Sequence, residues 1–163
     1  MSDPYRVAVV CLGNICRSPT AEVVLRDRVR AAGLDDRVEV VSAGTSRWEL
    51  GNPMDPRAAR ELRGRGYDVP DRTAQQFDAD DFAAVDLVLA MDASNLDDLL
   101  ATAPDQVARE KVRMFRDFDP EGSDGDREVP DPWYGGQAGF AEVLRTVERT
   151  SDAIVADLPR LLG

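Results

Sequence analysis

The stretch Val7-Ala8-Val9-Val10-Cys11-Leu12-Gly13-Asn14-Ile15-Cys16-Arg17-Ser18-Pro19 decides the fold of this chain. Its first four residues form an apolar, mostly β-branched run, which is typical of a buried strand in a parallel sheet. Beyond Pro19, apolar residues recur at helical spacing until Gly33. Ser18 and Pro19 suit the N-cap and the first turn of that helix. The sequence therefore predicts a strand, a short loop and a helix in direct succession.

The loop between the strand and the helix places a thiol, several backbone amides and a guanidinium around one small space. Backbone N–H groups and the positive end of a helix dipole bind anions such as phosphate. Arg17 adds a planar guanidinium that can donate two hydrogen bonds to two phosphoryl oxygens. We expect Gly13 to supply the unusual backbone angles that a tight loop needs. The pattern predicts a phosphate-binding loop.

Cys11 is the candidate nucleophile of this loop. A thiol at a helix N-terminus beside an arginine ionises more readily than a free thiol. The chain has no histidine, which excludes a cysteine–histidine pair as the means of activation. The alternative is a buried cysteine at a strand end beside a surface arginine. The strand before the motif, the Gly-Asn pair within it and the helix start after it favour the catalytic interpretation.

Three further apolar runs, at residues 38–41, 87–90 and 112–115, predict strands. Helices are predicted at residues 55–65 and 94–103, followed by a long terminal helix that Pro159 kinks or ends. Alternating helices and apolar strands indicate a parallel sheet that is covered on both faces. The predicted fold class is α/β, a Rossmann-like three-layer fold with a four-stranded parallel sheet and helices on both faces. A length of 163 residues suits one domain over residues 1–163.

The charge balance restricts the partners of the protein. The chain has 20 basic and 31 acidic residues, which gives a net charge of −11. Nucleic acids and anionic membranes attract basic surfaces, so we expect neither as a partner. The sequence has no apolar run near the roughly 18 residues of a membrane span and no basic leader, so we expect a cytoplasmic protein. Two cysteines in one loop, without histidine, predict neither a disulfide framework nor a metal site, and no cofactor is expected.

Residues 117–128 are rich in Asp, Glu, Gly and Pro, and this composition predicts a loop. Its carboxylates match the spacing of a calcium-binding EF-hand loop. Pro120 inside the segment, the unusual Glu121 and a preceding strand instead of a helix argue against calcium. A solvated acidic loop is the interpretation that we favour.

The motif from Cys11 to Pro19 resembles the signature loop of the low-molecular-weight protein tyrosine phosphatases. Further stretches that resemble this family follow in order along nearly the whole chain, and they are Ser42-Ala43-Gly44-Thr45 with Trp48 and Gly51, Asp55-Pro56-Arg57-Ala58, Ala90-Met91-Asp92 with Ser94-Asn95, and Asp131-Pro132-Trp133-Tyr134-Gly135. The last of these resembles the family's general-acid loop. The resemblance implies a hydrolase of phosphotyrosine proteins and aryl phosphates that works through a phosphocysteine intermediate. Inorganic phosphate and oxyanion inhibitors are the expected small ligands.

The resemblance also implies roles for individual residues. Cys11 would attack phosphorus, Arg17 would hold the phosphoryl oxygens, and Asp131 would protonate the leaving tyrosyl oxygen and then activate water. Asp92 would be structural. The expected substrate-binding residues line the phosphate loop and an aromatic slot, and they are Leu12, Gly13, Asn14, Ile15, Cys16, Ser18, Trp48, Trp133 and Tyr134. Of the loop residues, Asn14 is expected to buttress the loop and Ser18 to donate a hydrogen bond to the thiolate.

The chain departs from the family's pattern at three places. Trp133 replaces a more usual tyrosine, Glu49 stands where histidine is frequent, and Asp71-Arg72 lacks a histidine that many members have. These differences bear on substrate preference and leave the chemistry intact. Cys16 has two interpretations. It is either a small apolar filler of the loop or, as in relatives, the residue that traps oxidised Cys11 as a disulfide.

Three other functions compete with this reading. A thiol-dependent arsenate reductase shares the fold but needs cysteines beyond Cys11 and Cys16 to relay the disulfide, and the chain has none. A phosphoarginine phosphatase tends to carry threonine at the position of Ile15, so Ile15 favours tyrosine. An inactive phosphotyrosine-binding module would not need the complete set of Cys11, Arg17 and Asp131.

Overall fold

The computed structural model of the protein describes residues 3–133 and 136–163, so the predicted slot residue Tyr134 lies outside the described part. Strands and helices alternate for most of the chain. In order they are β1 (Tyr5–Cys11), α1 (Arg17–Ala31), β2 (Val38–Gly44), α2 (Pro56–Gly64), β3 (Leu87–Ala90), α3 (Ala93–Thr102), α4 (Gln106–Glu110), β4 (Val112–Met114) and α5 (Gly136–Leu161). Two short 3-10 helices, Ala79–Ala84 and Phe115–Phe118, precede β3 and follow β4.

The four strands form one parallel sheet in the order β2-β1-β3-β4. β1 lies inside the sheet and pairs with both β2 and β3, which explains why its apolar run is buried from Val7 to Cys11. Successive side chains of a strand point to opposite faces of a sheet. Accordingly, Val7 and Val9 pack into one hydrophobic cluster, and Ala8 and Val10 pack into another.

Helices cover both faces of this sheet. The cluster around Val7 and Val9 includes buried residues of α1, α2 and α5, whereas the cluster around Ala8 and Val10 includes Leu99 of α3 and Ala108 of α4. The three-layer arrangement confirms the predicted fold class. It also brings the loop after β1 to the carboxyl edge of the sheet, which is where parallel α/β sheets bind ligands.

Several predicted boundaries differ from the structure. Ser18 is not the N-cap of α1, because the helix begins at Arg17 and Cys16 occupies the cap position without a side-chain hydrogen bond. The strand predicted at 112–115 ends one residue early, at Met114. The terminal helix passes Pro159 and ends at Leu161. A proline so near a helix end removes one hydrogen bond of the last turns and leaves the preceding helix intact.

The acidic segment after β4 is not a fully solvated loop. Asp119 has a completely buried side chain, and both of its oxygens accept hydrogen bonds, from Arg116 and from Arg149 of α5. These contacts occupy the carboxylate that a calcium ion would need. Within residues 3–133 and 136–163, no helix is long and apolar enough to cross a membrane.

Candidate active site

A cavity of about 310 Å³ opens at the carboxyl end of β1, beside the first turn of α1. Residues that are distant in sequence meet in its wall, which consists of Cys11, Leu12, Gly13, Ile15, Cys16, Arg17, Trp48, Glu49, Asp131 and Trp133. Six of these residues belong to the loop of residues 11–18, which we call the phosphate loop. The rest of the wall comes from two other segments, each of which contributes an exposed tryptophan. We call this cavity the cleft.

Cys11 is the last residue of β1 and is almost fully buried. Its Sγ lies 3.0 Å from the Oγ of Ser18, a hydrogen-bonding distance for a thiol or thiolate. Ser18 points into the loop because its hydroxyl is engaged by the cysteine sulfur and by the Nδ2 of Asn14, which donates to it at 2.9 Å. This explains why Ser18 does not cap the helix. Its hydroxyl contacts the sulfur of Cys11 instead of capping a backbone amide.

Asn14 takes the strained backbone angle of the loop, with a φ of 58°. The expectation that Gly13 supplies this angle is wrong, since the φ of Gly13 is not positive. Asparagine tolerates the left-handed region better than most residues because its short amide forms local hydrogen bonds. Here the fully buried amide donates to Ser18 and, at 3.1 Å, to Ser42 of β2. Asn14 therefore supports the loop from behind.

Arg72, from the segment between α2 and β3, binds Asn14 through two donors. Its Nη1 donates to the backbone carbonyl of Asn14 at 2.9 Å, and its Nη2 donates to the Oδ1 at 2.5 Å. Glu22 of α1 lies 3.8 Å from the Nε of Arg72 and accepts a hydrogen bond from Ser42. Burial lowers the pKa of Arg72, and the nearby Glu22 and Cys11 offset part of this decrease. In the sequence Arg72 stands out only as a departure from the family's pattern, and no local pattern indicates its contact with Asn14, 58 residues away.

Gly44, the last residue of β2, lies directly against the phosphate loop. A Cβ atom at this position would stand 2.7 Å from the carbonyl oxygen of Leu12 and 3.2 Å from the backbone nitrogen of Asn14. Real Cβ atoms do not approach backbone oxygens that closely. Lack of space for a side chain therefore requires glycine at this position. The backbone angle does not, because the φ of Gly44 is outside the left-handed region.

Arg17 is the buried cation of the cleft, with only 3% of its surface exposed. Its Nη1 donates to Asp92 at 2.7 Å and to the carbonyl of Val129 at 2.9 Å, while its Nη2 lies 3.9 Å from the carboxylate of Asp131. Burial alone would lower the pKa of Arg17, but the neighbouring Cys11, Asp92 and Asp131 raise it. Asp92 also caps α3 by accepting from the amide of Asn95, so it holds the guanidinium from a fixed position.

Asp131 lies at the mouth of the cleft, with about half of its side chain exposed. Its Oδ1 accepts a hydrogen bond from the backbone amide of Trp133 at 3.1 Å. Trp48 is 79% exposed and Trp133 is 41% exposed, so neither ring serves as core. Two exposed tryptophans beside the cavity form a surface that can hold a planar ring. Glu49 also lines the wall, and its carboxylate accepts a hydrogen bond from the side-chain amide of Asn52 at 2.7 Å.

Cys16, at the N-cap of α1, is buried, and Asp55 and Arg57 at the start of α2 lie near it. Burial and the nearby carboxylate of Asp55 raise the pKa of its thiol well above the ordinary value. Both cysteines are free thiols in the structure. For Cys16, both interpretations stay predictions: a small apolar filler of the loop, or the residue that traps oxidised Cys11 as a disulfide.

The cleft brings together nearly all the predicted site residues. Asn14 and Ser18 belong to the loop but do not line the cleft, and their side chains form a hydrogen bond with each other. Within the described residues, no group of three or more Cys, Asp or Glu side chains is arranged to hold a metal ion.

The comparisons with known proteins agree with this geometry. The family model described as low molecular weight phosphotyrosine protein phosphatase matches residues 6–161. A low molecular weight protein-tyrosine-phosphatase of Streptomyces coelicolor is 48% identical over 152 residues, which cover 93% of this chain and 92% of the relative.

Solved structures give the same result. A protein tyrosine phosphatase from Entamoeba histolytica with Hepes in the active site superimposes with a TM-score of 0.90 at 33% identity, over 98% of this chain and 99% of its own. Vibrio vulnificus Wzb in complex with benzylphosphonate reaches a TM-score of 0.81 at 26% identity, over 95% and 99% of the two chains. On these grounds the chain belongs to the low molecular weight phosphotyrosine protein phosphatase family.

Proposed function

We propose that Cys11, Arg17 and Asp131 carry the catalysis of this tyrosine phosphatase. One observation supports the assignment above all: a buried cysteine sulfur, a buried guanidinium and a carboxylate line the same small cleft. The three groups come from the end of β1, the start of α1 and the segment before α5. Such a set is what transfer of a phosphoryl group from an aryl oxygen requires.

In the first step, the thiolate of Cys11 attacks phosphorus, so that an S–P bond forms while the bond from phosphorus to the tyrosyl oxygen breaks. Asp131 gives its proton to that oxygen, because tyrosinate is a poor leaving group near neutral pH. The loop amides and Arg17 hold the equatorial oxygens. Since Asp92 and Val129 already engage its Nη1, we assign the contact with phosphate to the Nε and Nη2 of Arg17.

In the second step, water attacks the phosphocysteine and the S–P bond breaks, which returns the thiolate and releases inorganic phosphate. Asp131, now a carboxylate, accepts the proton of that water. The hydroxyl of Ser18, 3.0 Å from the sulfur, donates a hydrogen bond to the leaving thiolate. The same site would bind phosphate and other oxyanions as inhibitors.

We propose that the phenyl ring of the substrate lies between Trp48 and Trp133. Their exposure at the mouth of the cleft supports this. So does the relative from Vibrio vulnificus, whose structure contains benzylphosphonate, a phosphonate joined to a phenyl ring through one methylene group. The substrates are phosphotyrosine proteins, with residues 1–163 acting as one domain. A cytoplasmic location stays a prediction from the sequence.

A series of aryl phosphates whose phenols differ in basicity tests the acid assignment. In Asp131→Asn we expect kcat/KM to fall on the order of a hundredfold or more for the most basic phenol and only slightly for the most acidic one. Asp124→Asn, an exposed carboxylate of the acidic segment, serves as the control. An equal loss for every phenol would remove Asp131 from the acid role.

Cys11→Ser tests the nucleophile separately. We expect no turnover but measurable binding of vanadate or phosphate, because the loop amides and Arg17 remain. Turnover by the pure variant at the wild-type rate would contradict the phosphocysteine route.

A further inference from the structure

Arg57, in the first turn of α2, connects two segments that form the cleft. Its Nε and Nη2 donate to the two oxygens of Asp55, at 3.2 and 3.0 Å. Its Nη1 is left to donate to the backbone carbonyl of Trp133, at 3.1 Å. One edge of the guanidinium is thus fixed by Asp55. The other edge holds the backbone of residues 131–133, which carry the proposed general acid Asp131 and which we call the acid segment.

Two aromatic rings enclose the same guanidinium. The carbon at its centre lies 5.1 Å from the ring centroid of Trp133 and 4.4 Å from that of Phe140 in α5. Indole gives the strongest cation–π contact among the aromatic side chains. Trp133, one of the departures from the family's pattern, therefore strengthens the contact between Arg57 and the acid segment.

Asp55 extends this connection to the phosphate loop. Its backbone amide donates to the carbonyl of Ile15 at 2.8 Å, and its side chain caps α2 by accepting from the amide of Arg57. Burial alone would raise the pKa of Asp55, but the hydrogen bonds from Arg57 lower it, so the carboxylate stays charged. The Asp55–Arg57 pair consequently sets the distance between the loop that carries the nucleophile and the segment that carries the acid.

The acid itself has few constraints of its own. About half of the Asp131 side chain is exposed, and its Oδ1 accepts from the amide of Trp133, the residue whose carbonyl Arg57 holds. The placement of Trp133, together with the Nη2 of Arg17 at 3.9 Å from the carboxylate, therefore determines where the carboxyl group stands over the cleft. A small displacement of a proton donor from its acceptor lowers the rate of proton transfer.

We propose that Arg57 is a positioning residue for the general acid, acting on Asp131 through the backbone and ring of Trp133. The inference rests on the proposed acid role of Asp131 and extends it to a residue outside the cleft wall. Arg57 does not touch the substrate in this scheme. Its loss affects protonation of the leaving group and spares the attack of Cys11.

The test measures kcat/KM of Arg57→Ala and Arg57→Lys across the series of aryl phosphates. For Arg57→Ala we expect a loss of about tenfold with the most basic phenol and less than about twofold with the most acidic one, as proton donation matters only for poor leaving groups. Lysine keeps the charge but cannot hold Asp55 and Trp133 with one planar fork, so Arg57→Lys should fall between Ala and wild type. Arg60→Ala, an exposed arginine of the same helix, is the matched control and should leave the profile unchanged.

A double variant separates this inference from the acid assignment. In the Asp131→Asn background, Arg57→Ala should change kcat/KM for the basic phenols less than about twofold, because the group that it positions is gone. A uniform loss across the phenols, or a loss that simply adds to that of Asp131→Asn, would overturn the positioning role. If Asp131→Asn alone gives a profile parallel to wild type, the acid assignment fails and the inference fails with it. Thermal unfolding establishes that each variant is folded, and the lysine variant keeps the test valid if Arg57→Ala is not.

Discussion

Asn14 shows how one residue can determine the shape of a binding loop. Among the described residues it is the non-glycine residue with a positive φ, and its amide and carbonyl are fully engaged by neighbours from β2, α1 and the segment that carries Arg72. Strained backbone angles persist only where the surroundings enforce them. In this loop Ser18, Ser42 and Arg72 hold Asn14 in that conformation.

Gly44 gives the sharpest prediction at this scale. In Gly44→Ala the new methyl group would meet the carbonyl oxygen of Leu12 at 2.7 Å, so the phosphate loop must shift. We expect kcat/KM to fall at least about tenfold, which corresponds to about 1.4 kcal/mol of lost transition-state stabilisation. Oxyanion affinity should fall in parallel, because the same loop binds the anion. Gly64→Ala, at the end of α2 with no atom within 4 Å of its Cβ position, is the matched control. Equal activity of the two variants would show that the loop tolerates the displacement.

At the scale of elements, the segment between α2 and β3 acts as a brace for the phosphate loop. Arg72→Ala removes both donors to Asn14 and the contact with Glu22. We expect inhibition by vanadate or phosphate to weaken about tenfold and kcat/KM to fall similarly, because the loop amides lose their alignment. Inhibition constants measured at fixed pH and ionic strength report this directly.

Arg26 supplies the control for Arg72. It also pairs with Glu22, at 2.8 Å, but donates its other hydrogen bond to Val40 of β2 and not to the loop. Arg26→Ala should leave oxyanion affinity within about twofold of wild type. If the two variants lose affinity equally, the effect comes from the charge around Glu22 and not from support of Asn14.

The elements were predictable where a local pattern determines them. The apolar run before Cys11 and the runs at 38–41 and 87–90 predicted strands because burial on both faces of a parallel sheet requires such runs. The placement of Ser18 and the angle assigned to Gly13 were wrong. Cys11 and Asn14 engage the hydroxyl of Ser18, and Asn14, which Ser42 and Arg72 hold, takes the positive φ instead of Gly13. No local pattern indicates the contact between Arg57 and Trp133, because 76 residues separate them.

At the scale of the whole molecule, Asp119 joins the segment after β4 to α5 and makes the stability of the fold depend on pH. Hydrogen bonds from Arg149, against the opposing effect of burial, lower the pKa of this carboxyl far below its ordinary value, and Arg116 adds to the effect. In the unfolded chain an aspartate takes up a proton near pH 4. The unfolded state therefore binds more protons than the folded state below about pH 5, so stability falls as the pH decreases.

Asp119→Asn tests this dependence. We expect the variant to lose about 3 kcal/mol of unfolding free energy near neutral pH, since it leaves the buried Arg116 and the partly buried Arg149 without their carboxylate. The difference from wild type should shrink as the pH falls from about 5 toward 2, because the wild type loses the same contribution. Urea unfolding at several pH values measures both curves. A difference that stays constant with pH would contradict the assignment.

The packing of α5 has a consequence for biosynthesis. The hydrophobic cluster behind Cys11 joins β1 and α1 to residues of α5, which is the last helix of the fold. A ribosome makes the phosphate loop early and α5 late, and a domain folds as a unit once its core can close. Until α5 emerges, this cluster lacks the part of its cover that α5 supplies. The nascent chain therefore carries Cys11 before the complete surroundings of the cleft exist.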